Sequence, residues 1–148
     1  MRSFLFIAFT IVSSFTFAGD QDSLKIAEVE TVIQQLFKAM QDGDSTSARI
    51  VFHVDARLMS AFESKEGPKV HDEPVVNFLH AIGTPHDETW DERISNLIIQ
   101  VDGTLAQAWM DYSFYLDNGF SHCGVNAMQF VLFRQSLADN STHRHSAS

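Results

Sequence analysis

Two turn signals govern the last third of this chain. Asp102-Gly103 and Asp117-Asn118-Gly119 divide it into three long strand candidates, Trp90 to Val101, Leu105 to Leu116 and Gly124 to Phe133. Short Asp-Gly and Asn-Gly turns join antiparallel neighbours, whereas parallel strands need long crossovers. The pattern therefore predicts an antiparallel meander. Its faces are unusual. In the middle strand Ala108, Met110, Tyr112, Phe114 and Leu116 share one face, and Trp109, Asp111, Ser113 and Tyr115 share the other. Large apolar groups on both sides predict that both faces are covered, one by helices and one by something else.

The helices lie upstream. After Leu24, the residues Val29, Val32, Ile33, Leu36, Phe37 and Met40 fall at spacings of three and four and draw one apolar stripe along a helix. Gly43 suits the left-handed position that ends it, and Asp44 or Ser45 can cap a second, short helix to about Val51. Arg57 to Ser64 reads as a strand, Lys65 to Pro68 as a turn, and Lys69 to His71 as the returning arm of a hairpin. Asp72 can cap a third helix with Pro74 in its first turn, its apolar face formed by Val75, Val76, Phe78, Leu79 and Ile82. Helix, helix, hairpin, helix and then a meander make an α+β domain with the helices packed on one side of an antiparallel sheet.

Composition narrows the function classes. Ten Lys and Arg stand against nineteen Asp and Glu, a net charge of −9, which argues against a nucleic-acid binder needing a basic face. The single cysteine excludes an intrachain disulfide framework and a multi-cysteine zinc site. His71, His80 and His86 lack a metal-binding spacing, and no glycine-rich phosphate loop or nucleotide fingerprint is present, so neither metal nor cofactor is expected. At the N-terminus, Met1-Arg2 is followed by the apolar run Phe4 to Val12 and by Thr16-Phe17-Ala18, with small residues at the positions a signal peptidase reads. Residues 1–18 are read as a signal peptide, too short in its apolar part to span a bilayer. The domain is then 19–134, with no membrane association after cleavage. Residues 135–148 hold one large apolar side chain, Leu137, and read as a disordered tail.

Three stretches carry a resemblance. Phe52-His53-Val54-Asp55-Ala56-Arg57-Leu58, Gly103-Thr104-Leu105-Ala106 and, most specifically, Ser121 to Phe130 (SHCGVNAMQF) resemble the nuclear-transport-factor-2-like superfamily. That superfamily includes SnoaL-like cyclases and ketosteroid isomerase. Within it, the chain is most similar to exported bacterial proteins labelled as lumazine-binding. The resemblance covers about residues 24 to 134. It implies a cone-shaped fold in which helices and a curved sheet enclose a pocket, and a periplasmic or secreted location. It also implies a further strand with a Gly-Trp-x-Ile-like core after Arg134. The residues there, QSLADNSTHRHSAS, contain nothing of the kind. A truncated or frame-shifted chain lacking its final strand is therefore expected.

Several side chains could serve such a pocket. Asp111 interrupts a strand of large apolar neighbours, and a carboxylate in an apolar pocket has the raised pKa that a general base needs. It could equally face solvent or an interface. His122, at a strand start, could shuttle a proton or pin the hairpin. Cys123 beside it points to the other face and reads as a small buried core residue. Trp109, Tyr112 and His53 could line a ligand site, or pack in a core or interface. Three functions follow. The first is an exported module binding a small apolar or aromatic ligand. The second is a cofactor-free lyase or isomerase using Asp111 and His122 as acid and base, as ketosteroid isomerase uses an Asp base with Tyr and protonated Asp donors. The third is a homodimeric interaction domain.

Overall fold

The computed structural model describes residues 18–133. The expected tail, and the expected signal peptide apart from Ala18, lie outside the described residues. So does the stretch where the final strand was expected to be missing.

The first helix, α1, runs Ala18–Asp42. Its stripe is buried from Val29 through Ile33, Leu36 and Ala39 to Met40. Leu24, which precedes the stripe, is 62% exposed. Gly43 ends the helix at φ 67°, with its N–H donating to Met40 O and that of Asp44 to Ala39 O, the paired bonds of a Schellman motif. Asp44 then caps α2 (Ser45–Ile50), its Oδ1 accepting from Thr46 N and Ser47 N, both at 3.0 Å. The same turn stops one helix and starts the next.

A hairpin follows, β1 (Leu58–Ser64) and β2 (Gly67–Glu73), as expected, but its turn is Lys65-Glu66 alone, and Gly67 and Pro68, expected in the turn, already pair within β2. Asp72 does not cap the third helix. It lies within β2 and pairs with Arg57 Nη2 at 2.5 Å. Pro74 takes the cap position of α3 (Val75–Gly83), where its ring fixes φ near the helical value and its carbonyl accepts from Asn77 N at 2.9 Å. Leu79 and Ile82 are buried against α1 and α2.

The meander is β3 (Trp90–Asp102), β4 (Leu105–Leu116) and β5 (Gly119–Val131), paired antiparallel in the order β3-β4-β5. Asp102 pairs with Leu105, and Leu116 with Gly119, so both turns are two residues long. β5 therefore begins five residues before the expected Gly124. Asp117 accepts the positive φ (55°) that such a tight turn requires. Among the described residues the hairpin forms a separate two-stranded sheet.

The alternation on β4 sorts the faces. Ala106, Ala108 and Met110 are buried beneath Val29 and Ile33 of α1, so their face is the inner one. Lys25 Nζ donates to Gly103 O at 2.9 Å and ties the same helix to the β3–β4 turn. The other face carries Trp109, 55% exposed. On β3 a bulge between Ser95 and Ile98, with Asn96 at φ 51°, shifts the phase. Ile94 precedes the bulge and Leu97, Ile99 and Val101 follow it, yet all pack on the same core. A second core joins α1, α2 and α3 to Trp90 and Phe114 at the far end of the inner face. The result is an open-sheeted α+β domain with its helices on one face of an antiparallel meander.

Candidate functional site

Beyond Met110 the inner face turns polar. Pairing register brings Glu92 of β3, Phe114 of β4 and His122 of β5 into one row. Ile94, Tyr112 and Gly124 form the next, and Met110 and Asn126 the one after. Asn126 Nδ2 donates to Glu92 Oε1 at 2.6 Å, spanning β4 from edge to edge. Tyr112 lies against Gly124: a Cβ there would sit 2.9 Å from the Tyr112 hydroxyl and from its Cε1. Only a glycine lets the tyrosine ring approach β5 so closely.

The aromatic neighbours complete the cluster. The His122 ring stands edge-on to Tyr112 with centroids 5.8 Å apart, and tilted over Phe114 at 5.1 Å. Its Nδ1 is 3.1 Å from Ser121 Oγ. Trp90 meets Phe114 edge-to-face, and His86 stacks on Trp90 at 4.6 Å.

The electrostatics follow from burial. Removal from water pushes the Glu92 carboxyl above its ordinary value, and the Asn126 hydrogen bond and nearby His122 offset this only in part. Tyr112 is also raised, first by burial and then by the negative charge of Glu92. The cluster thus offers a carboxyl that can be neutral or charged, an amide, a phenol and an accessible imidazole. That set can donate to or accept from a polar ligand edge, and can take up or release a proton.

Of the residues singled out in the sequence, Tyr112 and His122 meet here. Asp111 does not. It lies half-buried on the outer face, its Oδ2 accepting from Asn96 Nδ2 at 2.7 Å. Asp111 and His122 thus occupy opposite faces of the sheet and cannot act on one bound molecule as an acid–base pair. Trp109 is likewise on the outer face. His53 sits on the loop after α2, its Nδ1 accepting from Asp55 N at 3.2 Å and its ring stacked on Phe133. Cys123, expected in the core, is exposed, because it lies beside Ser113 on the outer face, opposite the one that α1 covers.

Glu92 and Asn126 were not anticipated. A signal existed: Glu92 alternates with Trp90 and Ile94, and Asn126 with Met128 and Phe130, so each is a polar residue in an apolar phase.

Away from the cluster, none of whose residues line it, a trough of about 1200 Å³ runs along the edge of β5 and reaches Ile98 and Gln100 of β3 on the outer face. Its walls are α1, the chain from Ile50 to Met59, and the end of β5 from Ala127 to Phe133. It continues round the β5 edge to Trp109, so that residue and His53 both border it. A smaller polar depression of about 310 Å³ lies between Gly43 and the loop from Gly83 to Thr89.

The sequence pattern of the family described as "Putative lumazine-binding" matches residues 24–121. No curated protein and no solved structure matches the chain.

Because the native state binds the Glu92 proton more tightly than the unfolded chain does, this group makes stability fall as pH rises from the ordinary carboxylate value through the raised one. Glu92→Gln keeps an acceptor for Asn126 and removes the ionisation. Urea denaturation across that range should show the variant gaining on the wild type as pH rises. A stability difference independent of pH would contradict the burial of this carboxyl.

Proposed function

The chain belongs to the lumazine-binding family of the nuclear-transport-factor-2-like superfamily, and on that premise we propose that it is a small-molecule-binding domain. Its ligand is a planar apolar or aromatic compound with a polar edge, for which a lumazine is the natural first probe. The observation that carries this reading is the Glu92–Asn126 pair on an otherwise apolar inner face, flanked by Tyr112 and His122. A heterocyclic ring rests against Tyr112, Phe114 and His122, and its polar edge meets the carboxyl and the amide. Trp109 and Asp111, on the outer face, take no part. The signal-peptide pattern of residues 1–18 supports export of this module to the periplasm or the medium.

A second reading is a cofactor-free lyase or isomerase, with Glu92 rather than Asp111 as the general base or acid. The raised Glu92 carboxyl beside Tyr112 and His122 favours it, since proton transfer near neutrality needs a carboxyl of this kind. One experiment addresses both readings. Calorimetric titration with lumazine should show saturable binding, weakened about tenfold in Asn126→Ala, the effect of losing a hydrogen bond of about 1.4 kcal/mol. Asp111→Asn should bind as the wild type does. Absence of saturable binding, or loss confined to Asp111→Asn, would contradict the proposal. Mass spectrometry of the recovered compound then separates the two: unchanged compound supports a binder, and a product lost in Glu92→Gln supports an enzyme.

The outer face supports a homodimer. Trp109 and Ile98, paired across β3 and β4, are both more than half exposed, and Val125 of β5 is 46% exposed. A second copy seated there would cover an apolar patch that monomers rarely leave to water. Native mass spectrometry should give a dimer for the wild type and a monomer for Trp109→Glu. A monomeric wild type would contradict this assembly.

A further inference from the structure

We propose that Asp111 is a charge gate on the outer face of the sheet, where its carboxylate restrains the seating of a second copy and ties self-association to proton uptake. The inference rests on the homodimer reading, and it gives a role to a carboxyl that the ligand site leaves unused.

Register lays the outer face out in rows. Gln100, Gln107 and Gln129 form one, and Ile98, Trp109 and Ala127 the next. Amides carry donors and acceptors alike, and apolar groups need neither, so both rows can meet the same rows of a second copy. The third row, beside Trp109, is Ser95, Asp111 and Val125. An ionised carboxylate offers acceptors only. An isologous contact covers the same patch on both copies, so each dimer takes two Asp111 carboxylates out of water.

The cation nearest in register is turned away. Arg93 lies one row on, with Ser113 and Cys123. Its Nε and Nη2 bond Asp91 Oδ2 at 2.8 and 2.7 Å, and its guanidinium stands 4.1 Å from the centre of the Tyr115 ring. Asp91 and Tyr115 pair in the row beyond, so the charge is drawn from Asp111. Asp111 is held instead by a neutral amide. The β3 bulge sets Asn96 at φ 51°, and its Nδ2 donates to Asp111 Oδ2 at 2.7 Å. The carboxylate is thus half-buried and fixed on the face with an amide in place of a counter-ion.

The face is small enough for one charge to matter. Three strands, with the twelve residues of β4 at their centre, span about 40 Å by 14 Å, or roughly 600 Å² a copy, where a standard interface buries about 800 Å² a partner. Dehydrating a carboxylate that has no cation beside it opposes a contact of that size. Assembly is easier with the carboxyl protonated, so the dimer takes up protons and tightens as pH falls. The charged and titratable side chains that face Asp111 are Arg93 and Cys123, and the helices pack on the inner side. A second copy brings the same two and its own Asp111.

Sedimentation equilibrium of the full chain measures the dimer dissociation constant. At neutral pH, Asp111→Asn and Asp111→Ser should each dimerise about tenfold more tightly than the wild type. Either side chain still accepts from Asn96, so the fold is not at stake. Glu63→Gln, the same change of charge on the exposed hairpin, should leave the constant unchanged. Adding Trp109→Glu to Asp111→Asn should abolish the gain and return a monomer. As pH is lowered the wild type should tighten and approach Asp111→Asn, which keeps Arg93 and Cys123 and so isolates the carboxyl. Association of the Asp111 variants equal to or weaker than that of a dimeric wild type would overturn the gate and leave the homodimer standing. A gain as large in Glu63→Gln would overturn it too, by tracing the effect to net charge. If every variant stays monomeric, the homodimer reading falls and this inference with it.

Discussion

The seating of α1 on the inner face of the meander is the contact from which the rest of the molecule takes its sense. Val29 and Ile33 press on Ala106, Ala108 and Met110, where two alanines allow the helix to come close and one methionine fills the remaining space. Because side chains alternate on a strand, this one contact decides the direction of every residue on β4 and, through register, on β3 and β5. Tyr112, Phe114, His122 and Asn126 become inner residues. Trp109, Asp111 and Cys123 become outer ones. Each candidate for chemistry is sorted by a packing decision made several residues away from it.

That sorting explains the character of the site. The inner face is apolar where α1 covers it and polar where the helix has passed, so Glu92 is withdrawn from water without being sealed from a ligand. A carboxyl in that position retains its proton more readily, and the Asn126 amide holds it in place. Two other carboxyls obey the opposite rule. Asp44, fully hydrated and bonded first by Ser47 at the cap of α2, is lowered, and so is Glu73, bonded first by His71 and then by Asn77. Direction of shift separates the carboxyls held by hydrogen bonds from the one raised by burial.

Much of this was legible in the sequence. The stripe of α1, the Gly43–Asp44 turn, the hairpin and both meander turns follow from spacing and turn chemistry, because each is a local property of a few residues. The departures are also physical. Asp72 is the better cap by residue type, but a strand ion pair with Arg57 claims it and leaves Pro74 at the cap without a side-chain bond. The polar run Ser121-His122-Cys123 disguises the start of β5, where a bulge at Ser121 shifts the pairing with β4. Glu92 was hidden by the bulge at Asn96. Inner residues there have even numbers before it and odd numbers after it, so no single alternation fits all of β3. Asp111 attracted notice for a sound reason, a carboxylate among large apolar neighbours, but those neighbours face the other way.

Glu92 reports most directly on whether the inner face is the covered, working one. Carbon-detected NMR titration of the Glu92 side-chain carboxyl should give a midpoint above that of an ordinary glutamate, moved toward the ordinary value when Phe114 is truncated to Ala and water reaches the row. A midpoint at or below the ordinary value in the wild type would mean that this carboxyl is solvated, and that the face assigned to the site is not the covered one.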